Sequence, residues 1–266
     1  MSFYFPSSHR LALQEQIQSL GAHSLSTPMT IEVDGRLYVV KFNRRESGRW
    51  WRESLSAALC GVLFGVWVKP SALRAGDTAY EAQRLTHLRH HHIAVPNVFL
   101  QHNDYIVMEH AGQSVEALLT QADQRDALLI PIMQSLVDLH EAGQWHGGAQ
   151  VRNLTLKDNQ LHRVDFEEKT SDVLPLHLAQ AYDLLLCFNS LTKYLAFDIE
   201  LGEKLLRHYL TRRHQPALQQ TLQRVLTLLL KLKATSHWFT QKQRHRSDLQ
   251  RTLFFTTVLE RTLARY

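Results

Sequence analysis

Apolar and polar positions alternate near the start of the chain and predict a β-hairpin. Residues 31–33 read Ile-Glu-Val and residues 37–39 read Leu-Tyr-Val, so each strand has one apolar face. Asp34-Gly35 lies between them and favours a tight two-residue turn. Two positions further along, the second strand carries Lys41. On this pattern alone, Lys41 is an ordinary surface lysine of an edge strand.

A helical period follows in the segment 43–77, which opens with basic and aromatic side chains that include Trp50 and Trp51. The apolar positions that share one helical face are Leu55, Leu59, Val62, Leu63 and Val66. Lys69-Pro70 is expected to end this helix. Tryptophans at headgroup level and arginines on anionic lipid would suit a peripheral membrane contact. The alternative is a helix packed on the protein, with solvated arginines.

The rest of the chain reads as two more strands followed mainly by helices. Apolar runs at residues 95–98 and 105–109 predict the strands. A helix is predicted over residues 126–142, either continuous or as two pieces that meet at Pro131, because proline interrupts a helix interior. Residues 191–266 are expected to be helical.

Composition indicates a globular protein with one good core or two small lobes. The chain has 266 residues, of which 44% are hydrophobic. Its net charge of +5 and pI of about 9.3 suit acidic partners such as phosphates or anionic lipid, with nucleic acid a weaker candidate. Cys60 and Cys187 have no metal-ligand spacing and make no disulfide framework. Residues 1–20 do not resemble a signal peptide, so we expect a cytoplasmic protein.

The most informative stretch is residues 145–168. A loop ends in Asn153, two short strands follow with a polar turn between them, and the second strand ends at Asp165-Phe166. An amide and a carboxylate therefore lie at the two ends of one hairpin, close in space. Such hard oxygen ligands are what a magnesium–nucleotide site needs.

This stretch resembles the catalytic and metal-binding loops of the protein-kinase-like superfamily. His146 matches the loop histidine, Asn153 the loop asparagine and Asp165-Phe166 the metal-binding Asp-Phe pair. The pattern is most similar to bacterial lipopolysaccharide kinases of the Kdo and heptose type, which resemble the small Bud-type kinases.

The resemblance implies an α+β, two-lobed protein-kinase-like fold. A small β-rich N-lobe would span residues 1–108, with a basic and aromatic insertion at residues 43–77. A helical C-lobe with the catalytic-type loop would span residues 109–266. The lipopolysaccharide kinases have a similar basic insertion, which favours the membrane interpretation of this segment and a position at the inner face of the cytoplasmic membrane.

The resemblance also implies ATP and Mg²⁺ as cofactors. Lys41 would contact the phosphates and Glu81 would pair with it. The alternative for Glu81 is a capping box, because Thr78 precedes it by three positions. Met108 and Glu109 would begin the hinge that binds adenine through its backbone.

Further roles follow for polar residues around the catalytic-type loop. Asn153 and Asp165 would hold magnesium. Asp183 would accept hydrogen bonds from the catalytic-loop backbone, although a solvated helix position is equally open.

Two departures from the family concern catalysis. Gly148 stands where the family has its catalytic aspartate, and Glu167 replaces the glycine of Asp-Phe-Gly. Glu167 and Glu168 are the nearest carboxylates in sequence that could replace the missing base, and Glu167 could instead be a second metal ligand. His146 is a further catalytic candidate, although the family histidine is structural. A glycine-rich phosphate loop is also missing before residue 30.

Three functions remain open after these comparisons of pattern. The first is an ATP-dependent phosphotransferase acting on a lipopolysaccharide-type sugar or another small hydroxyl substrate, anionic or lipid-linked. The segment after Asp165 is too short for the peptide-docking groove of a protein kinase, which favours such a substrate. The second is a catalytically inactive pseudokinase that binds nucleotide as a regulator or scaffold. The third is a basic module for RNA or membrane surfaces.

Overall fold

The computed structural model describes residues 5–19, 27–43, 50–73, 75–235 and 247–265. Helices and small antiparallel sheets make it a mixed protein of helices and strands, which is compatible with the predicted α+β class. The side chains of Trp50 and Trp51 lie outside the described part, so their expected membrane contact does too. Within the described ranges, no helix is long and apolar enough to cross a membrane.

The elements alternate between strands and helices in the first half and are mainly helical in the second. The strands are β1 (Met29–Val33), β2 (Arg36–Phe42), β3 (Val98–Gln101), β4 (Tyr105–Glu109), β5 (Gln113–Ser114), β6 (Leu154–Lys157) and β7 (Gln160–Arg163). The helices are α1 (Ser7–Ser19), α2 (Trp50–Phe64), α3 (Thr78–His90), α4 (Val115–Leu118), α5 (Ala122–Glu141), α6 (Thr170–Val173), α7 (Leu176–Leu191), α8 (Ile199–Arg212), α9 (Pro216–Thr235) and α10 (Ser247–Leu263). Short 3₁₀ turns lie at Pro70–Leu73, Val151–Asn153 and Thr192–Tyr194.

The first sheet is antiparallel and has the strand order β1-β2-β4-β3. Helix α1 covers one face, where its Leu13 and Ile17 pack in one cluster with Tyr38 and Val40 of β2. Side chains alternate along a strand, so Lys41 lies on the opposite face. This alternation directs Lys41 away from α1 and toward α3.

The opposite face of the first sheet continues into the main core. Ile106 and Met108 of β4 belong to one buried cluster with Leu85 and Leu88 of α3. The same cluster includes buried side chains of α5, α7, α8, α9 and α10. One apolar core therefore connects the sheet to the helical part and holds the segments between them in position.

The second sheet has the order β5-β6-β7 and contains the predicted hairpin. Its turn residues Asp158 and Asn159 have φ of 49° and 60°, a conformation that favours tight hairpin turns. At the open end, the Val164 N–H donates to the Asn153 carbonyl at 3.0 Å. The hairpin therefore brings Asn153 next to the segment that carries Asp165.

Some element boundaries differ from the predictions. Helix α2 ends at Phe64, because Gly65 has φ of 70° and leaves the helical conformation, so Val66 lies beyond it. Strand β3 begins only at Val98, after Pro96, which has no N–H to donate. Helix α5 runs through Pro131 without a break, with that residue on its exposed side.

Candidate active site around Lys41

Lys41 lies at the centre of a buried cluster of charged side chains. Its Nζ atom is 2.7 Å from Glu81 Oε2, 2.5 Å from Asp165 Oδ1 and 3.4 Å from Glu167 Oε2. The lysine is 6% exposed and Glu81 is 1% exposed. Strand β2, helix α3 and the segment after β7 each supply part of this cluster, so only the folded chain assembles it.

The first turn of α3 explains why Glu81 is available to Lys41. Asp77 caps the helix, since its carboxylate accepts a hydrogen bond from the Tyr80 N–H at 2.8 Å. The Thr78 hydroxyl instead donates to the Asn43 side chain. The structure thus has an aspartate cap in place of the capping box, and Glu81 forms the ion pair.

Burial and neighbouring charges act on this cluster in opposite directions. Burial alone would lower the pKa of Lys41, but the carboxylates of Glu81, Asp165 and Glu167 outweigh burial and raise it. Burial raises the pKa of Glu81, and Lys41 opposes that rise. One ammonium faces several carboxylates, so the site has an excess of negative charge that a divalent cation would neutralise.

Asp183 of α7 holds the loop at residues 145–153 in place. This carboxylate is fully buried and accepts hydrogen bonds from the backbone N–H groups of His146 at 2.6 Å and Gly147 at 2.8 Å. His140 of α5 contacts the same carboxylate, at 3.4 Å. Burial opposes ionisation of Asp183, but these partners outweigh it and lower its pKa. Asp183 therefore acts as an anionic anchor for the loop.

The ring of His146 is neutral and fully engaged. Burial lowers its pKa to about 4. The Gly148 N–H donates to Nδ1 at 3.2 Å, which leaves the proton on Nε2 to donate to the Val164 carbonyl at 3.0 Å. The ring also stacks on Phe166, with centroids 4.1 Å apart. These contacts favour a structural role for His146 over a catalytic one.

Asn153 and Asp165 have the chemistry of a magnesium site that needs a nucleotide to complete it. The Asn153 amide nitrogen donates to the Gly148 carbonyl at 2.8 Å, which leaves its oxygen as the atom suited to a cation. Asp165 has φ of 68° and a side chain that is 36% exposed. Among the described residues, no three His, Cys, Asp or Glu side chains form a metal cage. Mg²⁺ commonly binds one or two protein oxygens together with phosphates, so this pair fits that ion.

Gly148 leaves space where a side chain would fit. A Cβ atom added there would lie 3.4 Å from Asn153 Nδ2, 3.6 Å from Glu168 Cγ and 3.7 Å from His146 Nδ1, which are ordinary contacts. Glu167 is not among these nearest atoms, because its carboxylate points to Lys41. Glu167, the nearer of the two glutamates that could replace the missing base, therefore lies at Lys41 and not beside Gly148.

The residues expected at the hinge lie at the end of β4. Met108 is buried in the core. The Glu109 carboxylate accepts hydrogen bonds from Lys157 at 2.5 Å and Asn97 at 2.6 Å. Burial opposes ionisation of Glu109, but these bonds outweigh it and lower its pKa. The Glu109 side chain thus joins the first sheet to β6.

Some contacts of the site have no sequence signal. The Arg84 guanidinium lies 3.8 Å from the ring centroid of Trp145 and donates to the Trp145 carbonyl at 3.0 Å, which ties α3 to the start of the loop. The fully buried Arg163 similarly donates to Ser135 of α5. Both contacts join segments far apart in the chain, so no local pattern reveals them.

Comparison with known proteins adds no assignment to this geometry. No model of a known protein family matches the chain, and no curated protein matches it significantly.

Proposed function

We propose that this protein is an ATP-dependent phosphotransferase with a two-lobed, protein-kinase-like fold. The observation that supports this most strongly is the contact of Lys41 with both Glu81 and Asp165. A lysine on a strand, a glutamate on a helix packed near that strand and an aspartate after a hairpin are the arrangement that positions nucleotide phosphates and magnesium in kinases.

In this proposal the N-lobe spans residues 1–108 and the C-lobe spans residues 109–266. Lys41 would contact the phosphates of ATP, and Asn153 and Asp165 would hold the Mg²⁺ that neutralises their charge. The hinge that begins at Met108 and Glu109 contacts adenine through its backbone. Phosphoryl transfer depends mainly on positioning and charge neutralisation, which these groups supply.

The proposed acceptor is a small hydroxyl compound, such as a lipopolysaccharide-type sugar, that is anionic or linked to lipid. Only a short stretch with the single-turn helix α6 separates Asp165 from α7. That length leaves little chain to form a groove for a protein substrate. The positive net charge supports an anionic substrate and a location at the inner face of the cytoplasmic membrane.

Calorimetry with ATP and Mg²⁺ tests the nucleotide site. We expect the natural protein to bind ATP only weakly without Mg²⁺ and more tightly with it. Asp165→Asn should remove most of this metal dependence, whereas Asp158→Asn at the β6–β7 turn should leave it unchanged. No heat of binding at millimolar ATP and Mg²⁺, from protein with a cooperative unfolding transition, would exclude the proposal.

Gly148 supports a second candidate, a pseudokinase that binds nucleotide without transferring phosphate. Glycine has no side chain to orient or deprotonate an acceptor hydroxyl. Turnover separates the two candidates, because both bind ATP but only the transferase releases ADP faster than Asp165→Asn does. A basic module for RNA or membranes would instead show no specific nucleotide binding.

A further inference from the structure

The strand-to-helix segment after Asp165 places the side chain of Glu168 beside the position that Gly148 leaves empty. Glu168 Cγ lies 3.6 Å from the point where a Cβ atom of residue 148 would be. The carboxyl carbon of a glutamate is one bond of about 1.5 Å beyond Cγ, and that of an aspartate is one such bond beyond Cβ. A carboxylate at position 168 can therefore reach the region that an aspartate at position 148 would occupy.

The neighbours of Glu168 fix the backbone that carries it. The Glu167 carbonyl accepts a hydrogen bond from the Gly76 N–H at 2.6 Å. On the other side, Lys169 Nζ lies 5.0 Å from the ring centroid of Tyr80. These two contacts attach the segment to the start of α3 on both sides of Glu168.

The charge of Glu168 also acts on helix α3. Burial raises the pKa of Tyr80, and the negative charges of Asp172 and Glu168 raise it further. The Glu168 carboxylate is therefore close enough to α3 to act on Tyr80, while its Cγ is beside Gly148. Asn153, the suggested magnesium ligand, is also next to that position, with Nδ2 3.4 Å from the added Cβ.

The contacts of the neighbouring polar groups assign them to other roles. Both ring nitrogens of His146 are in hydrogen bonds with the backbone. The Glu167 carboxylate contacts Lys41 and the Asn153 amide nitrogen contacts the Gly148 carbonyl. Among the three side chains nearest to the added Cβ, Glu168 alone has a carboxylate.

We propose that Glu168 is the general base of the reaction and replaces the aspartate that Gly148 lacks. Its carboxylate takes the proton of the acceptor hydroxyl while that oxygen bonds to the γ-phosphorus of ATP. The bond from the γ-phosphorus to the bridging oxygen breaks, ADP leaves, and Glu168 later releases the proton to water. This assignment rests on the proposed phosphotransferase function.

Moving the carboxylate from one position to the other is the sharpest test. The rate of ADP release would be measured in reactions that contain ATP, Mg²⁺ and one of three acceptors: water, heptose or 3-deoxy-octulosonate. The proteins are the natural chain, Glu168→Gln, Gly148→Asp, Gly148→Asp with Glu168→Gln, and the exposed control Glu15→Gln. Calorimetry of ATP binding accompanies each assay.

A base contributes typically about 100-fold to 10,000-fold, so Glu168→Gln should slow turnover by that factor while ATP affinity stays within about twofold. Adding Gly148→Asp should restore turnover at least about tenfold, because the new carboxylate reaches the same region. If Glu168 had only a structural role, a carboxylate at position 148 would not restore turnover to Glu168→Gln.

Several results would overturn the assignment. Unchanged turnover in Glu168→Gln, or no recovery in the double variant, excludes Glu168 as the base. The assignment is also excluded if the natural protein binds ATP but releases ADP no faster than Asp165→Asn does. The proposed nucleotide site would survive that result. Absence of ATP binding instead removes the proposed function itself, and the assignment of Glu168 with it.

Discussion

Replacing Lys41 by methionine removes the ammonium from a buried cluster of carboxylates. The Lys41 and Glu81 side chains are 7% and 2% exposed, and their charged atoms are 2.7 Å apart. With an effective dielectric constant of about 20, that distance corresponds to roughly 6 kcal/mol of attraction, which offsets the desolvation of both groups. In the variant, Glu81 keeps its desolvation cost without a partner. We expect the free energy of unfolding to fall by about 3–5 kcal/mol.

This loss of stability should depend on pH. Burial raises the pKa of Glu81 and Lys41 opposes the rise, so removal of Lys41 should raise that pKa further. The folded state then holds a proton that the unfolded state, with a pKa of about 4.3, releases, so stability falls as pH rises above that value. The deficit of Lys41→Met should therefore be smaller at pH ~5 than at pH ~8.

Urea unfolding at both pH values measures this prediction. Lys193→Met is the matched control, because Lys193 also pairs with a glutamate but both side chains are at least 36% exposed. Exposed pairs contribute about 0–1 kcal/mol, so the control should change stability little at either pH. Equal losses in the two variants, or a larger Lys41→Met deficit at the lower pH, would refute the reasoning.

Three further predictions concern the loop, the ligand and the membrane. Asp183→Asn should lower the free energy of unfolding by about 1–3 kcal/mol in urea, because an amide cannot accept both loop N–H groups as a carboxylate does; no change would contradict its role as anchor. Mg²⁺ and ATP at one hundred times the dissociation constant should stabilise the protein by about 2.7 kcal/mol, measured by thermal unfolding, and no stabilisation would argue against the site. The protein should sediment together with anionic vesicles, and salt should weaken this binding. The double variant Trp50→Ala and Trp51→Ala should bind less, whereas equal binding to neutral vesicles would contradict the membrane contact.

The sequence predicts those parts of the fold that depend on local pattern. Alternation around Asp34-Gly35 predicts the first hairpin, and the polar turn at Asp158-Asn159 predicts the second. Both have turn residues with positive φ, which short polar side chains and glycine tolerate. Local chemistry is enough to locate such elements.

The parts that could not be predicted depend on backbone turns and distant contacts. Asp165 has φ of 68°, and in the segment that follows Glu167 approaches Lys41 while Glu168 lies beside Gly148. Adjacent glutamates look alike in a sequence, so their different positions follow only from the folded segment. The cap at Asp77 is not predicted for a similar reason, because Thr78 and Glu81 also have the spacing of a capping box.

Transfer of the γ-phosphate tests the central claim most directly. The measurement is the appearance of label from γ-labelled ATP on heptose or 3-deoxy-octulosonate in the presence of Mg²⁺, with the natural protein and Asp165→Asn compared side by side. The account predicts labelled sugar with the natural protein and a large loss with Asp165→Asn, because that carboxylate contacts Lys41 and is the proposed magnesium ligand. Equal labelling in the two proteins, or none with natural protein that binds ATP, would contradict a phosphotransferase acting on these sugars.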